Sequence, residues 1–139
     1  MAHIQLHTYT PDSRTKESRQ EAKELGSTGE QIATRYLEDK GYTILERNYH
    51  AGKHEVDIIT LHEGMIVVVE VKTRTDTQIS NPEDAVDHRK RGYIIRVINQ
   101  YMATHNRSEE VRFDVLSIVY KDHKPDIRHI TDAFNILNY

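Results

Sequence analysis

Polar and apolar residues alternate through segment 54–74, HEVDIITLHEGMIVVVEVKTR, which has a Glu-Gly pair at its centre. Two alternating runs joined by such a pair predict a β-hairpin with that pair as its two-residue loop. The loop determines which positions oppose each other, and here it places Asp57 opposite Glu70 and Glu55 opposite Lys72. Because side chains alternate with a period of two, all four are predicted to project from one face of the hairpin.

Helical spacing marks the segment before the hairpin. The apolar residues of Leu25–Lys40 recur at helical intervals and predict a first helix, with Gly41 in position to end it. Tyr42–Tyr49 then predicts a strand. Glu30 lies at the margin of the apolar stripe, so its carboxylate either leans into a site at the sheet or is exposed on the helix.

A second helix and a buried strand are predicted after the hairpin. Asn81 has the properties of an N-cap, and an apolar stripe continues from there to about Thr104. Val111–Tyr120 is too apolar for a strand open to water, which favours a central strand parallel to the second hairpin strand. Ile127–Ile130 is one further strand candidate. The order helix, three strands, helix, strand predicts an α/β domain whose mixed central sheet is flanked by helices.

Length and composition limit the class of protein. The 139 residues suit a single domain, taken as residues 21–139, preceded by a flexible polar arm over residues 1–20. The absence of cysteine excludes a disulfide framework and thiolate metal sites. No segment has the pattern of an export signal or a membrane span, so we expect a cytoplasmic protein with no membrane partner. A net charge of -3 means that any nucleic-acid contact requires a local cationic patch.

The opposed carboxylates of the hairpin require an explanation, because like charges directly opposite each other are destabilising. On an ordinary solvated hairpin, Glu55 and Lys72 would form a surface pair. Asp57 and Glu70 would still oppose each other in a wall of valine and isoleucine, at a cost. A hard divalent cation removes this conflict, since Mg²⁺ takes oxygen ligands and is often held by one or two carboxylates. The pattern therefore predicts a Mg²⁺ or Mn²⁺ site.

Four segments in order carry a family resemblance: LGSTGEQIATRYLEDKGYTILERN, HEVDII, VVVEVKTR and NPEDAV. They resemble the YraN family of small bacterial proteins, which is related to the Holliday-junction resolvases of the restriction-endonuclease-like superfamily. The resemblance covers roughly residues 25–120 and implies a restriction-endonuclease-like fold. The sequence departs from the family at His54, where the family usually has glycine immediately before the Glu-x-Asp of this strand.

The resemblance also implies roles for individual residues. Asp57 and the triplet Glu70-Val71-Lys72 match the Asp and Glu-x-Lys catalytic motif of the superfamily. The two acids and the Val71 carbonyl would then be metal ligands, and the lysine would be a fixed positive charge beside the metal. Glu30 matches the first-helix glutamate that junction resolvases add to the catalytic set. Glu55 is left with alternatives: it would hold the lysine, tune it, or join the metal shell through water.

A cationic patch for DNA is predicted as well. Positive side chains lie on the second hairpin strand and in the second helix, namely Lys72, Arg74, Arg89, Lys90, Arg91 and Arg96, and His88 adds charge at lower pH. Contacts from such side chains to phosphates position a duplex without reading its sequence. The alternative for the His-Arg-Lys-Arg run is a solvated helix face.

Three functions are compatible with these residues. The favoured one is a metal-dependent endonuclease that uses Mg²⁺ or Mn²⁺ to hydrolyse phosphodiester bonds of branched or otherwise structured DNA, alone or as a homodimer. The second is a nucleic-acid-binding module that keeps the nuclease fold without catalysis. The third is a structural protein whose acids pair with neighbouring cations. A requirement for a divalent ion would separate the first from the other two.

Overall fold

The computed structural model describes residues 3–8, 29–75, 87–121 and 124–135. In these ranges six strands form one sheet in the order β1-β6-β5-β4-β3-β2. Two helices, α1 (Gly29–Asp39) and α2 (His88–Thr104), accompany it. The strands are β1 (His3–Thr8), β2 (Thr43–Ala51), β3 (His54–His62), β4 (Met65–Thr75), β5 (Val111–Lys121) and β6 (Lys124–Phe134). The predicted α/β class is confirmed, and the arrangement is consistent with a restriction-endonuclease-like fold.

The hairpin between β3 and β4 forms in the predicted register. The loop residues Glu63 and Gly64 both have positive φ, of 50° and 78°, as a two-residue hairpin loop of this type requires. The paired residues run from His62 opposite Met65 to Ile58 opposite Val69. The alternation in the sequence therefore predicted the correct pairing over the whole regular part of the hairpin.

The sheet is mixed because β5 lies parallel to β4, whereas its other neighbour, β6, is antiparallel to it. This confirms the prediction that Val111–Tyr120 is a central strand. In the described ranges, each face of the sheet carries one helix and its own buried cluster: α2 packs with Val68 and Val115, and α1 packs with Val67 and Leu116. A strand covered on both faces is largely apolar on both, which is why this segment shows no regular alternation.

Helix α1 ends as the sequence predicts. Gly41 has φ of 89°, and its N–H donates to the Glu38 carbonyl at 3.0 Å. The next N–H, that of Tyr42, donates to the Leu37 carbonyl at 2.9 Å. These two bonds form the glycine-dependent cap that satisfies the last carbonyls of a helix and turns the chain into β2.

The predicted start of the second helix is wrong. Helix α2 begins at His88 after an N-cap at Asp87, whose backbone is extended and whose carboxylate accepts from the Lys90 N–H at 2.8 Å. A residue with extended backbone cannot lie inside a helix, so the helix does not run unbroken from Asn81. Asn81 itself lies outside the described residues.

The first residues also differ from expectation. His3–Thr8, assigned to a flexible arm, form the edge strand β1, paired antiparallel with β6. Edge pairing uses backbone groups and needs little side-chain signal, which is why the polar composition of this segment did not predict it. Residues 9–20 of the expected arm lie outside the described residues. The short strand predicted at Ile127–Ile130 is present and extends in both directions as β6.

Candidate metal and nucleic-acid site

The candidate site lies where β3 and β4 separate. The regular pairing of the two strands ends at Ile58 and Val69, one residue before the two opposed acids. The alternation of β3 also breaks here, because Val56 packs on the α2 side of the sheet and Ile58 on the α1 side. Residues two apart in a regular strand share a face. The expectation of four charged side chains on one face assumed an uninterrupted strand, and that assumption is wrong.

Asp57 bridges the opening between the strands. Its Oδ2 accepts a hydrogen bond from the backbone N–H of Val71 at 2.8 Å, in place of a backbone carbonyl. Its own backbone N–H points towards Glu70 Oε1 at 3.4 Å. The predicted neighbours Asp57 and Glu70 are therefore brought together, and the Asp57 carboxylate is fixed in position by the backbone of the partner strand.

Three carboxylates converge at this point from two directions. Glu30 from the first turn of α1 and Glu55 from β3 join Asp57, and one oxygen from each lies within 4.8 Å of the others. Glu55 is exposed and the other two are half-buried. Carboxylate oxygens of this kind are the donors that Mg²⁺ and Mn²⁺ prefer. Of the two alternatives for Glu30, the structure places it at the site rather than on the outer helix surface.

Glu30 is held towards the site by neighbouring side chains. Burial raises the pKa of Glu30 above its ordinary value, the negative charge of Asp57 raises it further, and a hydrogen bond with Asn48 partly opposes both effects. Asn48 lies on β2 with φ of 51°, a left-handed conformation in which asparagine is enriched. The sequence gives little signal for Asn48, which is only an asparagine within a predicted strand.

Glu70 is buried on the other side of Asp57. Burial raises the pKa of Glu70 well above its ordinary value of 4.5, and repulsion by Asp57 raises it further. Burial contributes more to this rise of the Glu70 pKa than the repulsion by Asp57 does. Among the described residues, Glu70 Oε2 has no hydrogen-bond partner.

Lys90 on α2 is the cation nearest to Glu70 among the described ion pairs. Its Nζ lies 3.2 Å from Oε2, a charge contact without hydrogen-bond geometry. Burial would lower the pKa of Lys90, but the charges of Glu70 and Asp57 raise it above its ordinary value. This contact differs from the predicted role of Lys90 as a partner of DNA phosphates, because nothing in the sequence relates the first turn of α2 to the end of β4.

Two other predicted residues of the hairpin do not form the expected pair. Glu55 was predicted opposite Lys72, but its Oε2 lies 3.2 Å from His50 Nε2 on β2. Lys72 is exposed, and its backbone position pairs with Ser117 on β5. The reason is the separation of the strands at Asp57, which ends the pairing before Glu55 is reached. The expected Glu55–Lys72 pairing is therefore wrong.

A cleft of about 340 Å³ opens beside the carboxylates. It is lined by residues of β3, its preceding turn and α2: Lys53, His54, Glu55, Asp87, Arg89, Lys90, Tyr93 and Ile94. His54, which replaces the glycine usual in the resembling family, stacks on Tyr93 with ring centroids 3.9 Å apart. The departure therefore has a structural role, since the imidazole packs the end of β3 against α2.

The remaining predicted cations do not all line this cleft. Arg89 is exposed and lines it. Arg91 places its guanidinium 5.2 Å from the centroid of the Phe134 ring, and Arg96 lies 6.0 Å from that of Tyr93. Arg74 is buried near the end of β4, and its Nε has no hydrogen-bond partner among the described residues.

A second polar cluster, which no sequence pattern predicts, is buried beneath α1. Asp114 on β5 accepts two hydrogen bonds from Arg112 at 2.8 Å and lies 2.7 Å from His129 Nε2. The other ring nitrogen of His129 lies 3.0 Å from the Tyr36 hydroxyl on α1. Burial alone would raise the pKa of Asp114, but the hydrogen bonds and charges of His129 and Arg112 hold it below its ordinary value. The cluster joins α1 to the sheet two turns from Glu30.

The family model and the relatives that match this chain all belong to one protein family. The model of "Uncharacterised protein family UPF0102" matches residues 29–118. A UPF0102 protein of Phocaeicola vulgatus is 42% identical over 114 residues, which are 82% of this chain and 94% of the relative. A UPF0102 protein of Syntrophomonas wolfei is 44% identical over 113 residues, covering 81% of this chain and 98% of the relative. In the part of the chain that the structure describes, neither helix is long and apolar enough to cross a membrane.

Proposed function

We propose that this chain, which belongs to the uncharacterised family UPF0102, is a metal-dependent endonuclease acting on branched or otherwise structured DNA. The proposal rests on the chain's own residues. This membership also confirms the resemblance to the YraN family. The observation that carries the proposal is the convergence of Glu30, Glu55 and Asp57 within 4.8 Å, beside the buried Glu70. Four carboxylates in one place repel each other unless protons or cations intervene.

The donor set fits a hard divalent ion. All side-chain donors are carboxylate oxygens, and the buried Glu70 Oε2 lacks a hydrogen-bond partner among the described residues. Glu30, Glu55 and Asp57 would hold the ion, with Glu70 and the Val71 carbonyl at its margin. When bound, Mg²⁺ or Mn²⁺ would supply activation of water and neutralisation of phosphate charge.

The protein's own residues would perform the remaining tasks. Asp57 keeps its position through the Val71 N–H, so its carboxylate does not need to reorganise when substrate arrives. Lys53 and Arg89 give the cleft positive charge that attracts phosphate groups. Lys72, exposed two residues beyond Glu70 on β4, would offer a further positive charge to the phosphate undergoing hydrolysis. Glu30 would bring α1 into the site, so the helix and the sheet must be correctly docked for activity.

A nucleic-acid-binding module without catalysis is the second candidate. The observation that favours it is the ion pair between Lys90 and Glu70 at 3.2 Å, which neutralises the most deeply buried acid of this site without any metal. A protein whose acids are balanced in this way can hold DNA with its cations alone. The two candidates differ in whether a divalent ion is required.

The deciding experiment combines cleavage and binding on one set of DNA substrates. Linear, flap and four-way-junction DNA would be incubated with the full chain and Mg²⁺ or Mn²⁺, and ion binding would be measured by calorimetry. Asp57→Asn and Glu70→Ala should abolish cleavage. Glu38→Ala, which removes an exposed acid on α1, serves as the matched control and should cleave like the wild type.

Each outcome of that experiment has a clear meaning. Cleavage that requires the ion and disappears in Asp57→Asn supports the nuclease. DNA binding of equal strength with ion or chelator, without cleavage of any substrate, supports the binding module and contradicts the nuclease. Cleavage that persists in both Asp57→Asn and Glu70→Ala would show that these acids are not the site.

A further inference from the structure

Lys90 occupies an unusual place for a lysine. It lies in the first turn of α2, where the N-cap carboxylate of Asp87 accepts its backbone N–H at 2.8 Å. The N-terminus of a helix carries partial positive charge, so a cationic side chain in the first turn is unfavourable unless an anion compensates for it. The charges of Asp87 at the N-cap and of Glu70 both act on Lys90, and Glu70 Oε2 lies 3.2 Å from the lysine Nζ.

The two partners differ strongly in their surroundings. The Glu70 side chain is 3% exposed, whereas that of Lys90 is 49% exposed. Glu70 is therefore fixed, while the lysine is long and flexible and lines the open cleft. The ammonium is held mainly by the opposite charge of Glu70, 3.2 Å away. A second cation that reaches Glu70 would repel the lysine, and the half-exposed lysine side chain can move into solvent.

We propose that Lys90 is the resident cation of the carboxylate site: it neutralises Glu70 while no divalent ion is bound, and leaves that place when one binds. The exchange rests on the proposed metal site and adds to it a residue that the Asp and Glu-x-Lys motif does not contain. Its physical basis is that a doubly charged ion beside Asp57 and Glu70 neutralises both acids, whereas the lysine provides one charge. The displaced ammonium remains in the cleft, beside Lys53 and Arg89.

Amine labelling of the full chain measures the exchange directly. Acetylation by an N-hydroxysuccinimide ester modifies only unprotonated amines, and mass spectrometry gives the rate at each lysine. An ammonium paired with a carboxylate reacts slowly, so adding Mg²⁺ should raise the rate at Lys90 about fivefold, the factor expected for loss of a modest ion pair. Lys40, at the far end of α1, is the internal control and should keep its rate.

Glu70→Gln is the matched variant, because it keeps the size of the side chain and removes the charge. In this variant Lys90 should react rapidly in chelator, and Mg²⁺ should not change its rate. Circular dichroism would establish that the variant is folded. If Lys90 reacts no faster in Glu70→Gln than in the wild type, the ion pair is not what protects it, and the inference is wrong.

Calorimetry on the same samples separates failure of this inference from failure of the proposed function. If Mg²⁺ and Mn²⁺ bind but the labelling rate of Lys90 stays constant, the metal site stands and the exchange is refuted. If neither ion binds at millimolar concentration, the proposed metal-dependent function is refuted, and the exchange is refuted with it.

Discussion

The buried cluster around Asp114 gives the most quantitative prediction. Asp114→Asn changes the side chain by one atom and leaves no cavity, so its effect comes from loss of charge and of one acceptor. The carboxylate is fully buried and accepts from both Arg112 nitrogens, from His129 and from the backbone N–H of Asp132. An asparagine oxygen can replace Oδ1, but the amide nitrogen at the other position meets two donors and cannot accept from either.

The expected magnitude follows from these contacts. Hydrogen bonds to charged groups contribute about 1.5–3 kcal/mol each, and removing one partner of a buried ion pair costs about 3–5 kcal/mol. Two such bonds are lost at Oδ2, from Arg112 and His129. We expect the free energy of unfolding to fall by about 4 kcal/mol, which is a large share of the 5–15 kcal/mol typical of a domain.

The assay is urea unfolding followed by far-ultraviolet circular dichroism at pH 7. Asp132→Asn is the matched control: its side chain is exposed and its φ of 53° suits asparagine, so its effect should stay within about 0.5 kcal/mol. The pKa of Asp114 lies below its ordinary 3.8 in the folded protein. Its contribution is therefore present above that value and is lost as the pH falls through the folded pKa, so the two proteins should converge in acid.

One result would refute the reasoning. A loss below about 1 kcal/mol at pH 7 in Asp114→Asn would mean that the buried charge and its partners contribute no more than an exposed ion pair. The cluster would then not be what fixes α1 on the sheet.

Three further predictions concern the site itself. In chelator, Glu70→Gln should gain stability relative to the wild type as the pH rises from 4.5 to neutrality, because the raised pKa of Glu70 makes the wild type lose stability over that range. A pH-independent difference between the two proteins in urea unfolding would contradict this. Asp57→Asn should lose ion binding by calorimetry, yet in chelator it should unfold at or above the wild-type temperature, because it relieves repulsion and keeps an oxygen that accepts from the Val71 N–H on β4. A large loss of thermal stability would show that the aspartate is a structural partner. Gly29→Ala should lower the free energy of unfolding in urea by about 1–3 kcal/mol and weaken ion binding, because the added methyl group collides with Thr73 on β4 and moves Glu30. Unchanged stability would mean that the Thr73 side chain rotates away freely.

The regular parts of the fold could be predicted from sequence because they depend on near neighbours. Alternation around Glu63-Gly64 gave the hairpin register, and Gly41 marked the end of α1. The start of α2 was misplaced because Asp87 is as suitable an N-cap as Asn81, and only the extended backbone at Asp87 shows that α2 begins after it. Strand β1 was missed because its partner strand, β6, lies more than one hundred residues away along the chain.

By itself, the sequence determined that Asp57 and Glu70 would be neighbours, since a two-residue loop and a period of two leave one register. Only the tertiary structure decided what surrounds them. The separation of β3 and β4 frees Asp57 to bond Val71, the docking of α1 brings Glu30, and the docking of α2 brings Lys90. These contacts depend on how the helices pack against the sheet. Contacts between residues distant along the chain produce no periodic pattern in the sequence.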